Sequence, residues 1–426
     1  MEAVNISRSL EESKFRDLAI KRIVFLIGFT INITQVILGI NISVSDVFMF
    51  ILLLLLLFTK SIYMTKKTTM YFIFLLIFRL LSTIQLTTWL DISISFLPIF
   101  ITFQKFIISL SYFILFISCL KINSKIQDDF FKGLKYGSFI LGGLSILLYF
   151  VGPEILRNII LFGDIRMRGF MNDPNYFAYM QICGFCIWYL REFKYKIINL
   201  FAVIIYPTTI FLSASKTGLV AFIFMFSILT INKIFSKQLS SASLAKLFLI
   251  ISGCLILVYI FNDSIVNNLS TFTQAVPQLD RIRIVFENFS GAITEGGSGR
   301  LYAWDTANKL IVDTNFMGIG FMDYSIVAQS ITGSPIIAHN TFLQLAVEWG
   351  AIPLFIGLVY LTIQIFYEVI KRNWIVVALV LTTIIFSFSI SLQNARILWI
   401  LLAILFANAS FSNYKHKKLN EDVLIY

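Results

Sequence analysis

Histidine is almost missing from this 426-residue chain, with two copies, and charge is thin: Asp, Glu, Lys and Arg together make 13% of it. A surface of that length cannot be solvated by so few charges, which excludes an ordinary soluble protein. Cysteine is scarce too. The four copies (Cys119, Cys183, Cys186, Cys254) all fall inside apolar runs. Cys183 and Cys186 are spaced as CxxC, but no other soft ligand lies near them in sequence, so they read as small packing residues. The N-terminal stretch through Arg22 is polar and mixed in charge, unlike a cleavable signal peptide.

What is abundant is hydrocarbon. Hydrophobic residues make up 58% of the chain, mean hydropathy is +0.85, and apolar runs long enough to cross a bilayer recur along its length. The expected fold class is an all-α polytopic membrane protein with about 12 transmembrane helices. The spans fall near 23–40, 45–59, 68–87, 98–120, 134–152, 174–190, 197–213, 217–235, 245–261, 350–370, 374–392 and 397–412.

The connections alternate in charge. Arg8 to Arg22, Lys60/Lys66/Lys67, Lys121 to Lys135, Arg191 to Lys196, Lys233 to Lys246, Lys371/Arg372 and Lys415 to Lys418 fall on one side. The positive-inside rule makes that side cytoplasmic and puts both termini there. The net charge of +11 is therefore mostly a topology signal, and a nucleic-acid partner is not expected. Nine basic residues face the other way: Arg157, Arg166, Arg168, Lys216, Arg281, Arg283, Arg300, Lys309 and Arg396. Topology gives no reason for them. Either they pair with outward acids (Asp164, Asp173, Asp280, Glu287, Asp305, Asp313) or they bind an anionic partner such as a phosphate. Simple pairing suits Arg157, Arg281 and Lys309 best. Arg79 and Lys105 lie within spans and should face the bundle interior, as a structural pair or lining a groove.

Three regions follow: residues 1–261 with spans one to nine, 262–338 as a large external loop, and 339–426 with spans ten to twelve and a basic tail. A 77-residue connection from Asn262 to Ala338 is far longer than usual and so is expected to be functional. Within it, Arg300 to Thr314 reads as an interfacial helix with Leu301, Trp304, Leu310 and Ile311 on its apolar face. Ser298 is its expected N-cap, Trp304 would sit at headgroup depth, and Asn315 to Gly320 would end it. No internal repeat of the two halves is evident, unlike many transporters.

Several short signatures then line up in order. Arg168-Gly169 precedes Asn172-Asp173-Pro174-Asn175-Tyr176, Ser213-Ala214-Ser215-Lys216 ends a hairpin, Gly299-Arg300 precedes Trp304, and His339-Asn340 is followed nine residues later by Gly350. Together they resemble the bacterial O-antigen polymerase and O-antigen ligase superfamily, over roughly 165–360. Two departures stand out. Lys216 occupies a position the family usually gives to Arg, and a compact ammonium cannot make a bidentate fork. Pro353 stands where the ligase signature continues with Gly, Thr or Tyr, which favours the polymerase.

The resemblance implies transfer of a glycan from a polyprenyl-diphosphate carrier to a sugar hydroxyl at the outer face of the bacterial cytoplasmic (inner) membrane, independent of metal and without a cofactor. The partners it implies are a polyprenyl-diphosphate-linked oligosaccharide, membrane lipid and, in a polymerase, a chain-length regulator. A diphosphate leaving group calls for cations, and Arg300, Lys216 and Arg168 are suitable, with Arg166 a rival of Arg168. Arg300 could instead pair with Asp305, and Lys216 could be an interfacial anchor. The acceptor hydroxyl needs a base, and His339 is the only outward histidine. A helix starting at His339-Asn340 would favour its neutral form, and capping that helix is the alternative role. Trp304, Asn175 and Asn340 are expected to bind or orient the substrate. Glu348 is a second possible base, more simply a partner for an outward cation. A ligase, delivering the glycan to a lipid A core or to protein, shares the donor chemistry. A twelve-span flippase would instead need charges lining a path through both leaflets.

Overall fold

The computed structural model describes residues 2–37, 40–89, 96–163, 165–235 and 300–408. Span nine and residues 262–299 of the long external loop, with Arg281, Arg283 and Ser298, lie outside the described residues. The chain is mostly helical. In order, helices α1 (Glu2–Thr30), α2 (Val44–Phe58), α3 (Lys66–Trp89), α4 (Phe96–Ile122) and α5 (Ile126–Val151) are followed by α6 (Glu154–Ile160), α7 (Pro174–Leu190), α8 (Lys196–Leu212) and α9 (Lys216–Phe235). Beyond the loop come α10 (Arg300–Asp313), α11 (Tyr324–Thr332), α12 (Thr341–Trp349), α13 (Ala351–Ile370) and α14 (Trp374–Ser387). A last apolar helix, α15, spans Arg396–Asn408.

Among the described residues five helices are long and apolar enough to cross a membrane, and four apolar helices are shorter. Phe366 and Ile363 on α13 are 65% and 58% exposed, a surface that hydrocarbon rather than water would cover. The chain is a membrane protein on these grounds.

The expected first span, 23–40, is not one helix. Helix α1 stops at Thr30, whose hydroxyl donates back to the Leu26 carbonyl at 2.7 Å, and short strands follow at Thr34–Ile37 and Ile40–Ser43. The run stays apolar, but its β-branched residues favour extended backbone. A capping box between Ser43 and Asp46 then restarts the helix.

The chain divides into two compact units. One comprises 1–33, 40–134 and 300–426; the other comprises 34–39 and 135–299. In the second, α7 packs against α8 and α9, and Gly184 sits so close to Ser138 that a Cβ would fall 1.8 Å from its hydroxyl oxygen. Cys183 and Cys186 are free thiols buried in α7, as packing residues should be.

In the first unit, α10, α11 and α12 pack together through Ala307, Leu310, Val327, Ala338 and Val347. The buried stripe of α10 is Ala303, Thr306, Ala307 and Leu310, whereas Leu301 is 48% exposed. Of the expected apolar residues Leu310 is buried and Ile311 packs beside it, while the small Ala303 and Ala307 take the rest of the inner face. The link from α10 turns on Gly318 and Gly320, both with positive φ. A Cβ at Gly318 would lie 2.6 Å from the Gly350 nitrogen, so bare backbone is required where the turn meets the end of α12.

Candidate functional site

The expected site residues divide between the two units. In the second unit, a two-residue strand pairs Phe162 with Arg166 and aims Arg166 at the start of α9. Its Nε donates to the Ser213 carbonyl at 3.1 Å and its Nη2 to Asn175 Oδ1 at 3.0 Å. Ser215 Oγ donates to the same Asn175 oxygen at 2.9 Å and accepts from the Gly218 amide at 3.0 Å. Asn175 itself is held at the start of α7, where Asp173 Oδ1 accepts from the amides of Asn175 and Tyr176. Lys216 is the first residue of α9, preceded by Ala214 with φ 48°.

Arg166, Asn175, Ser215 and the backbone leading into Lys216 thus form one hydrogen-bonded assembly. Arg168 is turned elsewhere: its Nε donates to the Ile159 carbonyl at 3.2 Å. Of the two rival arginines, Arg166 is the one joined to the Asn175 and Ser213-Ser215 motifs. The motif pair was legible in sequence, but the choice between arginines was not, because they stand two residues apart at one short hairpin strand, Arg166 within it and Arg168 just past its end.

In the first unit, Arg300 opens α10 and is partly exposed. Asp305, its suggested partner, accepts Lys309 at 3.4 Å one turn on, both side chains 62% exposed. Trp304 is half-buried, and its Nε1 has no hydrogen-bond partner. His339 is exposed and holds φ 47°, a left-handed conformation uncommon outside Gly, though His, Asn and Asp adopt it more readily than other side chains. Asn340 explains that position: its Oδ1 accepts from the amides of Phe342 and Leu343, so it is the N-cap of α12. His339 stands one residue outside the helix, near the positive end of its dipole.

The interior of this unit places three charges together and corrects one expected pairing. Arg79 and Lys105 are not a pair with each other, since like charges repel. Arg79 is 2% exposed and donates Nε and Nη2 to the Gly320 carbonyl at 3.2 and 2.6 Å. Its guanidinium lies 4.1 Å from the Phe321 ring centroid and 5.1 Å from that of Phe106. Glu348 is 9% exposed and accepts Gln344 Nε2 at 2.7 Å and Gln393 Nε2 at 3.2 Å. Burial pushes its carboxyl pKa up; Arg79, then those two hydrogen bonds and Lys105, pull it back. Arg79, Lys105 and Glu348 line one polar cavity of about 230 Å³. Gln344 and Gln393, neutral residues in apolar stretches, gave no sequence signal of such a site.

Arg157 meets no acid among its described contacts and donates instead to the Gly152 carbonyl at 3.3 Å. Arg396 is paired, with Asp46, an acid absent from the expected outward set.

Residues 201–359 match the family model for O-antigen ligase. The matched segment contains Lys216, Arg300, Trp304, His339 and Asn340, and it supports the resemblance to the O-antigen polymerase and ligase superfamily. Arg166, Arg168 and Asn175 precede the matched segment. Neither the curated proteins nor the solved structures yield a match.

Proposed function

We propose that this chain is a polysaccharide polymerase of the O-antigen polymerase and ligase superfamily, joining lipid-linked repeat units at the outer face of the cytoplasmic membrane. The coarser statement, a membrane enzyme of glycosyltransferase type, rests on the family match across residues 201–359. The observation that supports the finer one is His339, exposed in a left-handed backbone conformation and held outside α12 by the Asn340 cap. Unfavourable φ/ψ at an exposed polar residue is the kind of strain that functional sites retain.

On this reading His339 takes the proton from the acceptor hydroxyl as that oxygen attacks the anomeric carbon of the donor sugar. The glycosidic C–O bond to the carrier breaks, and the electron pair leaves with the lipid diphosphate. Arg300, Lys216 and Arg166 are the cations assigned to that anion, with Asn175 orienting Arg166 and Trp304 presenting an aromatic face to the glycan. Arg168 remains the alternative to Arg166. The substrate is a polyprenyl-diphosphate-linked oligosaccharide, and neither a cofactor nor a metal is invoked. The full topology, with twelve spans and both termini cytoplasmic, belongs to this proposal.

The ligase is the second reading, favoured because the family matched over residues 201–359 is that of O-antigen ligase. Pro353, buried in the first turn of α13, is the departure that favours the polymerase. Lipid-linked glycans from a deletion strain separate the two: single repeat units accumulate without a polymerase, long unattached chains without a ligase. If neither accumulates and His339→Ala protein supports normal polymer yield, the proposal fails.

A further inference from the structure

The cavity between α3, α4, α11 and α12 has more polar atoms than it has partners for. Glu348 Oε1 takes the amide nitrogens of both Gln344 and Gln393. That orientation leaves the Oε1 atoms of both glutamines buried with no hydrogen-bond partner, and the Tyr324 hydroxyl is in the same condition. The three residues are 3%, 8% and 5% exposed, and all three line this cavity. A buried polar atom left unsatisfied costs about 1–3 kcal/mol. Three around one cavity of about 230 Å³ imply that something with donors and acceptors fills it.

The arrangement says what kind of molecule. A phosphate is anionic and offers mainly acceptors, and here it would meet two amide oxygens and the carboxyl groups of Glu348 and Asp323. The one deeply buried cation, Arg79, is engaged by the Gly320 carbonyl and two phenylalanine rings. A sugar's hydroxyls both donate and accept. They suit two amide oxygens, a phenol and a carboxyl group together. Trp349 and Trp399 also line the cavity, their ring centroids 6.0 Å apart, and offer apolar faces to the C–H side of a pyranose. At a liquid-water share of about 30 Å³ each, the volume corresponds to about eight waters, the scale of one sugar ring rather than an oligosaccharide.

The other side of the same helix is different. Thr341, Phe342 and Leu345 line a second, apolar cavity of about 120 Å³ that also reaches Trp349 and Trp399. Helix α12 therefore divides a polar compartment from an apolar one, and His339 stands just before its N-cap.

We infer that the Gln344–Glu348–Gln393 cavity is a monosaccharide subsite, in which the two glutamine oxygens and the Tyr324 hydroxyl receive the hydroxyls of one sugar. Its biological ligand, a residue of the lipid-linked glycan, rests on the function proposed above. Its ability to bind a sugar does not. Lys105, exposed at the rim, would add a contact for a sugar carrying an acidic substituent.

The test uses purified full-length protein in detergent, titrated with glucose, N-acetylglucosamine, glucuronate and inorganic phosphate, read by tryptophan fluorescence and by melting temperature. At least one of the three sugars is expected to give a saturable response. The Gln344→Met/Gln393→Met protein should respond at least tenfold more weakly, with a lower melting temperature because Glu348 loses both of its amide donors. Should that double variant fail to fold, Gln393→Met alone keeps the Gln344–Glu348 hydrogen bond and carries the same expectation. The subsite is overturned if no sugar gives a saturable response, if phosphate alone does, or if the variant binds sugar like the parent. Parallel polymer assays of His339→Ala keep the two ideas apart. Sugar binding beside a fully active His339→Ala protein sinks the catalytic reading alone, and an inactive His339→Ala protein without sugar binding sinks the subsite alone.

Discussion

Arg396 grips Asp46 with two arms of its guanidinium, Nε at 3.2 Å from Oδ1 and Nη2 at 2.9 Å from Oδ2, across 350 residues of sequence. Asp46 also accepts the Tyr112 hydroxyl at 2.7 Å and the Ser43 amide at 2.9 Å. One carboxylate thereby ties the start of α2 to α4 and to the start of α15.

Removing that carboxylate strands a guanidinium that is only 11% exposed. Asp46→Asn is expected to lower stability by about 2–4 kcal/mol, the cost of breaking a largely buried pair, reduced because Asp46 is partly exposed. Asp46→Asn/Arg396→Met should recover part of the loss. Thermal unfolding in detergent checks this; strictly additive effects would show that the two residues are not coupled.

Arg166 and Arg168 should behave differently on substitution. Arg166 is joined to Asn175 and Arg168 to the Ile159 carbonyl. Losing one cation aimed at developing charge typically costs about 10²–10³ in rate, and that loss is expected for Arg166→Ala. Arg168→Ala should retain activity within about tenfold. Polymer synthesis from lipid-linked donor measures both, and the reverse order would transfer the role to Arg168.

Gly350 adopts φ 86° and ψ 158°, and a Cβ there would lie 2.6 Å from the Met317 carbonyl oxygen. Gly350→Ala should cost about 2–4 kcal/mol from strained backbone and forced packing. Its signature is a lower melting temperature with reduced yield of folded protein. Gly163, with positive φ but open space around it, should tolerate alanine with a smaller loss.

Glu348 makes stability depend on pH in a defined direction. Burial raises its carboxyl pKa in the folded protein, so the folded state holds the proton more tightly than the unfolded state does. Stability is then greatest below the unfolded carboxylate value of about 4.3 and declines as pH rises toward the folded pKa. The charged or titratable groups facing it across the cavity are Arg79, Lys105, Asp323 and Tyr324. Glu348→Gln should flatten the decline in melting temperature as pH rises above the unfolded carboxylate value. Parallel slopes in parent and variant would assign the dependence to another group.

Helix ends were legible where local chemistry marks them. Asp173 ahead of Pro174 starts α7, Gly350 ends α12, and the predicted spans 174–190 and 197–213 match helices Pro174–Leu190 and Lys196–Leu212. Hydropathy failed between Thr30 and Ser43, since an apolar average cannot distinguish helix from extended β-branched backbone. It found Leu310 and Ile311 on the inner face of α10 but missed Ala303 and Ala307, which are buried there and carry little hydrophobicity.

By itself the sequence determined the membrane class, the side expectations from charge, and the short motifs around Asn175, Ser215, Arg300 and His339. These depend on composition and on neighbours a few residues apart. Tertiary structure alone decided which arginine joins Asn175, that Asp46 answers Arg396, and that Glu348 rests between two glutamines from separate segments. Such pairings depend on which faces meet after packing. A neutral glutamine in an apolar helix carries no mark of its partner until the chain has folded around it.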